Sequence, residues 1–181
     1  MHARSAVSLL LGVVLLATMT ATASSSSRPG GTRIPECTIT GTSGDDTLRG
    51  TADRDIICAL AGDDFVIGRR GNDLILLGPG EDGFNAGPGN DQVRGGSGPD
   101  FGNGGPGDDN LFGQKGNDLI ISDQVGADLL SGGSGDDSCL SAADGQDDDS
   151  VLGGDGEDTF NADDGDFVST VENGPTPCEG G

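Results

Sequence analysis

One residue type recurs in a single phase along most of the chain. Asp46, Asp55, Asp64, Asp73, Asp82, Asp91, Asp100, Asp109 and Asp118 stand nine residues apart. After a one-residue slip the series resumes at Asp128 and Asp137, and after three further residues at Asp149 and Asp158. Two residues before most of these aspartates stands a glycine, as at Gly44, Gly62, Gly71, Gly80, Gly89, Gly98, Gly107 and Gly116. Glycine permits turns closed to other residues, and such turns expose their carbonyl oxygens. Carboxylates and carbonyls repeated at one spacing are hard oxygen donors, the chemistry of cation binding. Other chemistries lack their parts. Beyond residue 23 there is no His and no Tyr, and Lys115 is the single Lys. Acid–base catalysis would rest on carboxylates alone, and nothing singles out one pair, so no catalytic residue is assigned. No window has the alternating acids, sixth-position Gly and twelfth-position Glu of an EF-hand loop.

The elements that must position these aspartates follow from cutting the chain every nine residues from Gly41. Nine units run in unbroken register to Ile121, beginning GTSGDDTLR, GTADRDIIC and ALAGDDFVI. Ser122 is inserted, DQVGADLLS and GGSGDDSCL follow, Ser141 to Ala143 break the register, and DGQDDDSVL and GGDGEDTFN end the series at Asn161. In these thirteen units position four is Gly except at Asp53 and Asp147, and position six is always Asp. Position eight is apolar in twelve if Cys139 is counted; Gly102 is the exception, with Phe101 beside it to compensate. Each unit reads as a turn of six residues and a strand of three, because alternate side chains of a strand face opposite sides. Position eight then points inward, and the two rows of such residues, including Leu48, Val66, Phe84 and Leu111, form the whole expected core. Glycine is too frequent for any helix to propagate.

The repeat resembles the haemolysin-type, or RTX, calcium-binding nonapeptide G-G-x-G-x-D-x-U-x, where U is a large apolar residue. GGPGDDNLF (104–112), GGSGDDSCL (132–140) and GGDGEDTFN (153–161) match it in full if Leu111, Cys139 and Phe160 count as U. The resemblance implies an all-β, right-handed parallel β-roll, a solenoid with two repeats per coil. It also implies Ca²⁺ as the cofactor, several ions per chain. Thirteen units make six and a half coils, about 30 Å at a strand spacing of about 4.8 Å. Stacking brings the position-six carboxylates within one strand spacing of each other. That is repulsive without a cation and a ligand set with one. The nine in-register units offer 9 − 2 = 7 positions between coils.

Composition says why a ligand is needed. The chain has 31 acidic and 9 basic residues and a formal charge of −22. Residues 1–23 read as a secretory signal peptide: Arg4 near the start, a short apolar run from Val7 to Ala17, and the small-x-small sequence Ala21-Thr22-Ala23. Without them the charge is −23, and Leu, Ile, Val and Phe make up 31 of 158 residues. Those are the values of a disordered chain, so only the repeat and a charge-cancelling ligand would order it. The acidic balance excludes nucleic-acid binding, which needs a basic footprint. No second apolar run spans a membrane, and the mature protein is expected to be secreted and extracellular.

Residues 24–36, rich in Ser, Pro and Gly, read as a flexible leader, 37–161 as the repeats, and 162–181 as a C-terminal cap and tail. An even number of cysteines in a secreted chain favours disulfides. Three pairings are open; Cys37–Cys58 and Cys139–Cys178 are favoured because each ties one end of the ordered region to itself. The spacings are too wide for a zinc site. The function expected is a non-enzymatic structural or binding role. The alternative is a carbohydrate- or cell-surface-binding module, in which Arg49, Arg69, Arg70 and Arg94 would meet an acidic glycan or cell-envelope component. The simpler reading of those arginines is relief of acidic repulsion.

Overall fold

The computed structural model describes residues 36–169, apart from 123, 139, 143, 144, 146, 147 and 163, together with 176–177. The segment read as a signal peptide, nearly all of that read as a leader, and the expected Cys139–Cys178 pair lie outside the described residues. The chain winds as a parallel β-solenoid of two facing sheets, with no helix among the described residues. Sheet 1 stacks Ile39–Thr40, Ile56–Cys58, Leu74–Pro79, Gln92–Ser97, Asn110–Lys115, Leu129–Ser134, Ser150–Asp155 and Phe167–Ser169. Sheet 2 stacks Thr47–Arg49, Phe65–Ile67, Gly83–Asn85, Phe101–Asn103, Leu119–Ile121, Leu140–Ser141, Thr159–Asn161 and Thr176–Pro177. Consecutive strands alternate between the sheets, so two nonapeptides make one coil, as expected from the repeat. Phe167–Ser169, in the region read as a cap, adds a further strand by pairing with Ser150–Leu152.

Register follows the eighteen-residue coil: Ile57, Ile75, Val93 and Leu111 are successive partners, as are Leu48, Val66, Phe84 and Gly102. A one-residue slip would turn every inward side chain to solvent, so the apolar column at position eight fixes this pairing. The turns need glycine for a steric reason. A Cβ on Gly89 (φ +149°) would strike the carbonyl of Gly71, and one on Gly107 (φ +132°) the carbonyl of Gly89.

Four expectations require correction. The core is wider than position eight: Ala59, Leu77, Ala86 and Ala142 lie at its margins and are fully buried. An apolar residue at position one, where the chain enters the turn, still faces inward. At the eleventh unit Leu140, at position nine by count, is the buried residue and pairs with Phe160; Cys139, counted as the inward residue, lies outside the described residues. Ser138 holds the strand-entry position through its amide bond to the Asp118 carbonyl. Phe101 does not compensate for Gly102, because it faces outward and is 45% exposed. The ring of Phe84, one coil earlier, occupies the space that a side chain at Gly102 would need. Finally, five sheet 1 strands run for six residues, through positions two and three, whereas sheet 2 strands stop at three or fewer.

Candidate cation-binding ladders

The position-six aspartates form two ladders, one along each edge of the roll. Along one, the amides of Asp55, Asp73, Asp91, Asp109 and Asp128 donate to Oδ1 of Asp73, Asp91, Asp109, Asp128 and Asp149, at 2.7–2.8 Å. Along the other, the amides of Asp46, Asp64, Asp82, Asp100, Asp118 and Asp137 donate to Oδ1 of Asp64, Asp82, Asp100, Asp118, Asp137 and Asp158, at 2.7–3.1 Å. Both ladders pass unbroken through the inserted residues, where rung spacing grows from 18 to 19 and 21 residues. The extra residues are accommodated away from the rungs. All thirteen expected aspartates are thus on the ladders. The first ladder has a further rung that the nine-residue frame missed: the Asp149 amide donates to Asp166 Oδ1 at 3.3 Å. The signal was the string Asp166-Phe167-Val168-Ser169, a D-x-U-x that arrives one residue early.

On eight of the rungs one oxygen is left over. Asp64, Asp73, Asp82, Asp91, Asp100, Asp109, Asp118 and Asp137 are buried, and the Oδ2 of each has no hydrogen-bond partner. A buried carboxylate oxygen without a partner is costly, and eight in register point to a shared cause. Burial raises the pKa of each of these carboxyls, against the opposing pull of the amide from the adjacent rung. Asp91 is pushed up to about 6, Asp100 and Asp137 to about 7, and Asp109 to about 8. The turn carbonyls are also available. The amides of Gly62, Gly71, Gly80 and Gly89 donate to the carbonyls of Pro79, Pro88, Ser97 and Pro106 in the next coil. The carbonyls of Gly62, Gly71, Gly80 and Gly89 accept no hydrogen bond among the described residues.

This donor set fits Ca²⁺. It offers anionic and neutral oxygens in a flexible turn, and no nitrogen or sulfur. Among the described residues no three acidic, His or Cys side chains converge on one point. A calcium ion here would therefore draw carboxylates from neighbouring rungs and complete its shell with turn carbonyls. Bound calcium would supply charge compensation for the rungs; the chain supplies their spacing and burial.

The first two rungs are built differently. Asp46 Oδ2 accepts from the Thr42 amide at 2.6 Å and the Thr42 hydroxyl at 2.8 Å. Asp55 Oδ2 accepts from the Thr51 amide at 2.7 Å and the Thr51 hydroxyl at 2.9 Å. The Thr51 amide is the chief reason that the Asp55 carboxyl is held below its ordinary range. The Cys37–Cys58 disulfide closes this same coil.

A second line of side chains, at position five, also escaped the reading of the sequence. There the hydrogen bonds run the opposite way: the amides of Asp63, Glu81 and Asn90 donate to Oδ1 of Asp45, Asp63 and Asn72. These residues are exposed, so the line braces the outer turn and is not part of the buried set. Arg49 and Arg94 are divided between the sheets, and Arg69 Nη1 donates to the Gly50 carbonyl, next to Arg49, at 3.5 Å. Arg49 pairs in register with Ile67 on sheet 2, and Arg94 with Leu76 and Phe112 on sheet 1.

Searches of curated proteins and of solved structures found no match. The family profile of the RTX calcium-binding nonapeptide repeat (4 copies) matches residues 38–66, 59–93, 94–125, 120–144 and 141–166. These matches run from residue 38 to 166, well over half of the sequence, and the chain belongs to the RTX calcium-binding nonapeptide repeat family.

Proposed function

We propose that this chain is a secreted module that folds on binding Ca²⁺ and then serves a non-enzymatic structural or binding role. One observation carries the reading: eight buried carboxylates in register, each with an oxygen that the protein leaves without a donor. The ligands are the ladder aspartates from Asp64 onward with the turn carbonyls at position four. A chain of charge −22 stacking acids at strand spacing cannot remain folded at neutral pH unless a cation or protons neutralise them. Equilibrium dialysis of the secreted chain at about 1 mM calcium, the range of extracellular modules, is expected to find several ions bound. Mg²⁺ is expected to substitute poorly, because it demands tight octahedral geometry. Absence of bound calcium at that concentration would contradict the proposal.

One feature favours a surface-binding role for the loaded roll. Gln92, Arg94, Phe112, Gln114 and Ser131 line a shallow groove of about 290 Å³ on the outer face of sheet 1. Gln114 holds φ +85°, where its register partners are Gly96 and Gly133. Leu60 and Arg69 hold the same conformation at position two outside the groove, so the groove itself carries this reading. A glycan array probed with the calcium-loaded protein tests this role. Binding of acidic glycans that Arg94→Ala abolishes would support it, and an array without signal would remove it.

A further inference from the structure

The first coil carries its own replacement for the metal. Position two is Thr only in the first two units, at Thr42 and Thr51; elsewhere it is Gly, Leu60, Arg69, Gln114 or Gln124. Each threonine hydroxyl reaches two of the groups assigned to calcium in later coils. Thr42 Oγ1 lies 2.8 Å from Asp46 Oδ2 and 3.3 Å from the position-four carbonyl of Gly44. Thr51 Oγ1 lies 2.9 Å from Asp55 Oδ2 and 3.3 Å from the position-four carbonyl of Asp53. A third threonine completes the set: the Thr38 hydroxyl lies 3.2 Å from Asp55 Oδ1, the oxygen that does not face Thr51. Both oxygens of Asp55 are therefore satisfied within the protein. Leu60, Arg69 and Gln114 make no such bond, and Asp64, Asp73 and Asp118 of their units keep an Oδ2 without a partner. The eighteenth residue before Asp55 is Cys37, so the ladder begins on a disulfide and not on another carboxylate.

We propose that Thr38, Thr42 and Thr51 stand in for the cation at Asp46 and Asp55, so that the first coil closes without metal and gives the calcium-dependent coils an edge to stack on. The inference rests on the calcium reading of the later rungs. It divides the thirteen aspartates into two that the protein satisfies and the remainder that bind the ion.

Peptide-resolved amide hydrogen exchange on the full secreted chain, disulfide intact, tests it in chelator and in saturating calcium. In chelator the segment 38–60 is expected to keep at least about tenfold more protection than the segment 62–137, the scale of one hydrogen bond to a charged group. Thr42→Val with Thr51→Val should remove that excess, and Thr42→Ser with Thr51→Ser should keep it. Equal exchange of the two segments in chelator, or an unchanged profile in the valine variant, would overturn the proposal. Failure of the calcium reading looks different: the segment 62–137 would then be as protected in chelator as in calcium. A second measurement does not depend on the valine variant folding. Counted by equilibrium dialysis, Asp55→Asn should bind as many calcium ions as the parent, whereas Asp91→Asn should bind fewer. Equal losses from both variants would overturn the proposal.

Discussion

The first coil and the coils after it share one nine-residue frame and the same aspartate at position six, yet they handle the second carboxylate oxygen in opposite ways. In the first coil Thr42 and Thr51 donate to it, and the Asp55 carboxyl is held low. From Asp64 to Asp118, and at Asp137, it is buried without a donor, and burial raises the carboxyls. Two repeats can thus share the ladder aspartate and differ in what meets its second oxygen. At that oxygen the difference lies in position two, held by Thr42 and Thr51 in the first coil.

The largest expected effect comes from breaking a later rung. Asp91 accepts from the Asp73 amide and donates to Asp109. Asp91→Ala orphans a buried amide and removes a ligand, so it should destabilise the calcium-loaded fold by about 3 kcal/mol in denaturant titration. It should couple to Asp109→Ala by about 0.5–3 kcal/mol and be additive with Asp64→Ala, on the other ladder, within about 0.5 kcal/mol. Equal coupling to both would contradict the two-repeat coil.

The disulfide comes next, and it acts on the first coil. Cys37 and Cys58 enclose a span of 21 residues, a loop whose closure is worth about 3 kcal/mol in the chain-entropy account. Unreduced peptide mapping should recover the two linked. Reduction should lower protection in 38–60 more than in 62–137; a uniform loss would erase the distinction between the two regions.

Acid should move the two regions in opposite directions. The later rungs have folded pKa values raised above the unfolded 3.8. Their contribution to the metal-free fold is fully present below about pH 4 and lost as pH rises through about 6 to 8. Asp55, lowered, contributes stability above its unfolded value that is lost as pH falls through its folded one. Metal-free protein should therefore gain β structure on acidification from pH 8 to 5. Over the same interval protons compete for the ligands, so the calcium midpoint should rise. A midpoint independent of pH would contradict the burial of the later rungs.

The smallest effect concerns the outer line. Asp108 Oδ1 accepts from the Ala127 amide at 3.2 Å, and Oδ2 from Asn90 Nδ2 at 3.0 Å. Asp108→Asn keeps one acceptor, as Asn72, Asn90 and Asn117 do at this position, and should change stability by less than about 0.5 kcal/mol. An effect as large as that of Asp91→Ala would mean that position five carries the ion.

Much of this was legible because a solenoid turns sequence period directly into spatial stacking. Position-six aspartates had to align once position-eight residues faced inward, and the thirteen rungs stand where the period puts them. What escaped depended on local exceptions to the period. Cys139 holds position eight by count, yet Leu140 is the buried residue that pairs with Phe160, and counting alone cannot locate that shift. Asp166 lies one residue out of frame, yet its hydrogen bond continues the ladder. The threonines at position two were visible, but their meaning was not. Nothing in a string of letters says that the Thr51 hydroxyl reaches both the carboxylate and the carbonyl of its own turn. The Phe84 ring over Gly102 is likewise a contact between coils, eighteen residues apart, that no single unit announces.

The central claim is that cation binding and folding of the later coils are one event. Circular dichroism of the chain from residue 24 onward, titrated with calcium from chelator to about 1 mM at pH 7.5, tests it most directly. The account predicts a spectrum dominated by coil, with a small residual β signal from the first coil, converting cooperatively to β structure as calcium rises. A β spectrum already complete in chelator and unchanged across the titration would contradict it.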